Sequence, residues 1–196
     1  MRGTPAEAKV LRRSISDAVE GGSLATALEL CQKYTSDYPE CFWGWITVSD
    51  IFRQYALYRG AEDALREAEK LAPKEVLRHV FVRRARLSEA QGNWKDAEKW
   101  YRRAIKVRAT AGGLIYLGAL FARLGRYSEA KRCHQRAARF ANGERDEAYL
   151  NLGLIARAER KYEKALDYFE RAIRIDPNYR EAKVARDDVL RAMRVK

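Results

Sequence analysis

The stretch YEKALDYFERAIRIDPNY, at 162–179, returns upstream in altered form as WKDAEKWYRRAIKV from Trp94 and YSEAKRCHQRAARF from Tyr127. Aligned on shared small residues, five such units begin at Ala8, Phe42, Arg78, Ala111 and Asp146, with spacings of 34, 36, 33 and 35 residues. A period of that length marks stacked helix pairs. It constrains the fold strongly, because one helix pair cannot bury its own apolar face and each copy must serve as part of its neighbour's core. Strong helix formers run through the chain, without the bounded apolar/polar alternation that strands require. The expected fold class is all-α.

The last unit, DEAYLNLGLIARAERKYEKALDYFERAIRIDPNY, carries the pattern most clearly. Tyr149, Leu152, Gly153 and Ala156 share one face of its first helix; Ala165, Phe169 and Ala172 share one face of its second; Pro177 follows. Small residues allow two helices to approach closely, an aromatic fills the space beside them, and a proline past the end stops continuation. This arrangement resembles the tetratricopeptide (TPR) repeat, W-x2-L-G-x2-Y…A-x3-F…P, with Tyr149 for Trp and Ala156 for Tyr. The other units match with differing fidelity: Arg84 stands where the third should have leucine, and the first unit is weakest.

The resemblance implies a right-handed α-solenoid of five helix-turn-helix repeats, at 8–41, 42–77, 78–110, 111–145 and 146–179, forming a single domain over 1–196. The segment 180–195, with Ala182, Ala185, Val189 and Met193 on a narrow stripe, is expected to be a capping helix with a polar outer face. Opening on Met1 and closing on such a cap, the sequence reads as a complete small protein.

Residues with catalytic potential are sparse. His79 and His134 are 55 positions apart, and His134 occupies the aromatic core position of its helix, where a satisfied, partly buried imidazole is expected. Motifs such as HExxH, GxSxG or a Gly-rich phosphate loop are absent. The glycine pairs at Gly21 and Gly112 fit a turn and a helix start. The reading is a non-enzyme with no cofactor and no metal. Cys31, Cys41 and Cys133 form no CxxC pair, which fits reduced thiols and a cytoplasmic protein. No run of about 18 apolar residues is available to span a membrane, and the N-terminus lacks an apolar signal region.

By the resemblance, first helices line a concave groove that receives a peptide. The positions that would face it are Lys9, Arg12, Arg13 and Ser16 in repeat one, Trp43, Ile46, Thr47, Asp50 and Arg53 in repeat two, and His79, Val82, Arg83 and Arg86 in repeat three. Repeats four and five contribute Ile115, Tyr116, Leu150, Asn151 and Leu154. Some family members grip a C-terminal carboxylate with Lys and Asn, then Asn, then Lys and Arg. Here the matching positions hold Arg12 and Ser16, then Thr47, then His79 and Arg83, so the orienting amides are lost. What remains is a groove basic near one end and apolar toward the other, with Ile115, Tyr116, Leu150 and Leu154 expected to form an exposed patch.

The net charge of +12 is concentrated: residues 78–110 supply +7, residues 111–145 supply +5, and the rest is neutral. The favoured reading is a protein-interaction scaffold for a segment bearing acidic and apolar residues. The alternatives are nucleic-acid (RNA) binding through the basic middle repeats, and a self-associating structural protein. The same charge also fits a solvated face that aids solubility.

Overall fold

The computed structural model describes residues 5–141 and 143–194; residue 195, the last of the expected capping segment, lies outside them. Eleven α-helices account for the regular structure of the described residues. In order they are α1 (Pro5–Glu20), α2 (Leu24–Asp37), α3 (Phe42–Gln54), α4 (Tyr58–Leu71), α5 (Leu77–Ala90), α6 (Trp94–Val107), α7 (Ala111–Arg123), α8 (Tyr127–Ala137), α9 (Arg145–Ala158), α10 (Tyr162–Ile175) and α11 (Arg180–Arg194). The all-α reading and the helix pairing hold. Contacts gather into two compact units, residues 1–107 and 108–196. In the first, α1–α2, α3–α4 and α5–α6 pair as hairpins, with α1 beside α3 and α3 beside α5. In the second, α7–α8 and α9–α10 pair, α7 lies beside α9, and α11 packs on α9 and α10.

The turn inside each hairpin is built alike. Residue fifteen of every repeat has a positive φ: Gly22, Gly92 and Gly125 at 72°, 75° and 73°, and Ala56 and Arg160 both at 58°. This left-handed residue reverses the chain so that the next amide reaches back to the helix end, as in Ser23 N–H to Ala18 O at 2.9 Å and Lys161 N–H to Ala156 O at 2.9 Å. Between hairpins, Pro39, Pro73 and Pro177 each stand just beyond the preceding helix, where a missing N–H costs little.

Close packing follows the small residues. Ala27, Ala61, Ala97, Ala130 and Ala165, one per repeat, are fully buried. In repeat five the ring of Phe169 lies so close over Gly153 that a Cβ there would meet it at 2.4 Å. His134 takes the same seat over Gly118 in repeat four, where the added Cβ would sit 2.6 Å from Nε2. The expectation of a satisfied, partly buried histidine is corrected: His134 is 0% exposed and neither ring nitrogen has a hydrogen-bond partner among the described residues. Burial pushes its pKa down to about 4, so the ring is neutral at pH 7 and acts as an aromatic filler.

Arg84 also finds an explanation. Its guanidinium bonds Glu69 at 2.8 Å and approaches Glu62 at 3.5 Å, both on α4, and its carbon lies 4.9 Å from the ring centre of Trp100 on α6. An arginine in a leucine position thus ties three helices together through charge and the ring face.

Candidate functional site

In the first unit several of the residues expected to face the groove line one concavity. The ridge of α1 and the facing side of α3 enclose a groove of about 600 Å³, lined by Lys9, Arg12, Arg13 and Ser16 from one helix and Thr47, Asp50 and Arg53 from the other. Ile15, Val19 and Ile51 supply an apolar floor. Four cations against one carboxylate make the rim basic. On the other side of α1, Lys9 and Arg12 also border a depression of about 480 Å³ with Tyr34, Tyr38, Cys41 and Trp43. Trp43 is 44% exposed and meets Phe42 and His79 edge-on, at centroid distances of 4.9 and 5.0 Å.

Two of the carboxylate-clamp positions, Thr47 and Arg83, are spent on internal contacts. Arg83 Nε donates to Asp50 Oδ2 at 3.2 Å, and Arg53 approaches Asp50 Oδ1 at 4.0 Å. Thr47 Oγ1 donates to the Trp43 carbonyl at 3.0 Å, within its own helix. His79 is half-buried; desolvation, reinforced by Arg78 and Arg83, pushes its pKa down to about 4, so it brings no positive charge at pH 7. Val82 and Arg86 are half-buried on α5.

Three groove residues are corrected. Ile46, Ile115 and Leu150 do not face solvent: they are 3%, 1% and 9% exposed. Ile46 belongs to the cluster of Phe42, Leu65, Val80 and Leu87, and Leu150 to that of Phe169, Ala182 and Val189. The cause is the position of their helices, each flanked by a first helix on one side and another helix on the other, so that a lateral residue becomes an interface residue. Leu154 packs half-buried on the same cluster as Leu150, Tyr116 is half-buried, and Asn151 donates to the Glu147 carbonyl at 3.0 Å. Ile115, Tyr116, Leu150 and Leu154 therefore do not form the expected exposed patch. Instead α9 opens with Asp146 and Glu147; desolvation, then Glu144 and Asp146, raise the Glu147 pKa.

Val10, Val19 and Gln54 line the first groove without having been singled out in the sequence. Val10, 66% exposed in an amphipathic helix, was the available signal. Among the described residues no group of three or more His, Cys, Asp or Glu could hold a metal ion, and no helix is long and apolar enough to cross a membrane.

Comparison with known proteins agrees with this architecture. Models of the tetratricopeptide repeat match residues 83–113 and 146–179. The chain is a tetratricopeptide repeat protein. It is 27% identical over 133 residues to human tetratricopeptide repeat protein 7A, covering 67% of this chain but only 15% of that protein. Among solved structures it is similar to TTC0263, a thermophilic TPR protein of Thermus thermophilus, with a TM-score of 0.67 and 16% identity over 93% of this chain and 98% of the other. It is also similar to YrrB, described as a TPR protein with an unusual peptide-binding site, with a TM-score of 0.59 and 18% identity over 88% of each chain. TPR domains are generally protein–protein interaction modules and typically non-catalytic, and this chain carries such a domain.

Proposed function

We propose that this TPR protein binds a peptide segment of a protein partner in the groove between α1 and α3, as a non-catalytic scaffold. The observation that carries the reading is the pairing of a cationic rim with an apolar floor in one concavity. Lys9, Arg12 and Arg13 are all exposed on α1, while Ile15 and Ile51 lie beneath them. A segment alternating acidic and apolar residues satisfies both: carboxylates meet the rim, and apolar side chains displace water from the floor. Because Arg83 is engaged by Asp50, acidic selection rests on the α1 ridge and not on repeat three. An environment that keeps thiols reduced, such as the cytoplasm, fits three free cysteines, two of them buried.

The test is a peptide-display selection on the wild-type protein, repeated on a Lys9→Glu, Arg12→Glu, Arg13→Glu variant. Wild type should enrich segments with interleaved Asp or Glu and Leu, Ile or Phe, and the variant should lose them. Enrichment of the same peptides by both proteins would overturn the proposal.

A further inference from the structure

The second helices carry a charge pattern that groove binding does not use. At matched repeat positions, α4 and α10 neutralise themselves along the exposed face. In α4, Asp63 pairs with Arg66 at 3.0 Å and Glu67 with Lys70 at 2.6 Å; in α10, Asp167 pairs with Arg171 at 3.0 Å. The repeats between them have lost the acid that Asp63 and Asp167 share, and α6, α8 and α10 alike carry arginine where α4 has Glu67. In α6 the places of Asp63 and Glu67 are taken by Lys99 and Arg103, and in α8 by Arg132 and Arg136. All four are exposed.

On α6 the result is a ridge of Lys95, Lys99, Arg102, Arg103 and Lys106 around a shallow depression of about 440 Å³. Only Glu98 interrupts it, bonded to Arg102 at 2.8 Å. Lys95, Lys99 and Lys106 have no carboxylate partner among the described residues, and neither do Arg132 and Arg136 on α8 or Arg139 just past its end. Cations one turn apart over about 16 Å of helix repel one another, and the single Glu98 pair offsets only part of that repulsion, which a bound polyanion would relieve.

We infer that the exposed face of α6, and separately that of α8, binds the phosphodiester backbone of a nucleic acid without reading its bases. Three observations favour phosphate over a protein partner or a lipid surface. The α6 depression is lined by charged side chains alone, so a protein partner would find none of the apolar or aromatic anchors that concentrate binding energy. In the middle of the ridge, Trp100 is covered by the guanidiniums of Arg84 and Arg103, at 4.9 and 4.8 Å from its centroid, so its ring is not free for base stacking or membrane insertion. Arg103 is held by that stacking and by Phe81, at 4.9 Å, which presents its fork as a preformed phosphate donor.

The experiment is fluorescence anisotropy of a labelled mixed-sequence single-stranded RNA, titrated with the full chain across a salt series. The proteins are wild type, Lys95→Gln/Lys99→Gln/Lys106→Gln, Arg132→Gln/Arg136→Gln, and a groove control, Lys9→Gln/Arg12→Gln/Arg13→Gln. All substituted residues are exposed, and circular dichroism checks that each variant remains helical. Expected are binding indifferent to base sequence, a loss of about tenfold for the α6 triple variant at ~0.1 M salt, and a salt slope reduced by about 2. The α8 variant should weaken binding as well, and the groove control should bind as wild type. The proposal is overturned by absence of saturable binding, by wild-type affinity in both helix variants, or by an equal loss in the groove control. Retention on phosphatidylserine vesicles without RNA binding, or competition by poly-glutamate as effective as unlabelled RNA at equal charge, also overturns it, assigning the face to a membrane or to an acidic protein.

Discussion

Replacing His134 by Phe should stabilise the protein, and the gain should grow as the pH falls. The imidazole is fully buried over Gly118 with both nitrogens unpaired, in the seat that Phe169 fills over Gly153. An unsatisfied buried polar group costs about 1–3 kcal/mol, so at pH 7 the substitution is worth on the order of 1 kcal/mol after allowance for the larger ring. The pH term has a definite sign. The folded pKa is pushed down to about 4 from an ordinary 6.5, so the unfolded chain takes up a proton that the folded chain refuses. Stability contributed by the neutral ring is present above the unfolded value and is lost as pH falls from 6.5 toward 4. Linkage over that interval gives a loss of about 2 kcal/mol between about pH 7 and pH 5 for wild type, absent from the variant. Urea unfolding of both proteins at pH 7, 6 and 5 measures it, and the difference between them cancels His79 and the carboxylates, which titrate in both. Parallel pH dependences would refute the reasoning, because they would mean that His134 is protonated in the folded state or hydrated there.

Other outcomes follow from the same packing. Arg160 holds a left-handed backbone that three other repeats assign to glycine, so Arg160→Gly should raise the midpoint of thermal unfolding by relieving about 1 kcal/mol of strain. Gly44→Ala should destabilise by about 1–3 kcal/mol in urea titration, because the new Cβ would fall 2.1 Å from the Tyr34 ring. Arg84→Ala should be destabilising, whereas Arg84→Leu, restoring the family's residue, should fall within about 1 kcal/mol of wild type, since a partly buried ion pair repays little over an apolar replacement. In the folded protein Cys31, 1% exposed and with a thiol pushed up to about 11 by burial, should react with iodoacetamide far more slowly than in urea, as peptide mapping by mass spectrometry would show.

The repeat was legible because its signals are local. A small residue twenty positions into each unit recurs whatever surrounds it, joined in some units by an aromatic four later, as at Tyr101 and Phe169, or by a proline past the end, as at Pro39, Pro73 and Pro177, and hydrophobic period places the helices. The groove was legible only in part. Lys9, Arg12 and Arg13 are exposed on α1, as the register implies, but the same register placed Ile46, Ile115 and Leu150 in the open and they are buried. Register gives the direction of a side chain about its own helix axis; it does not say whether another helix stands there.

The chain's own order of residues determined that it would be helical, where its hairpins turn, and which repeats would be basic. Tertiary packing decided the rest. It turned Arg83 from a ligand contact into Asp50's partner, gave Arg84 two glutamates and a tryptophan, and left His134 unpaired in a core. Each of those outcomes depends on groups from different helices meeting at close range, and a periodic pattern carries no information on what lies across such a gap.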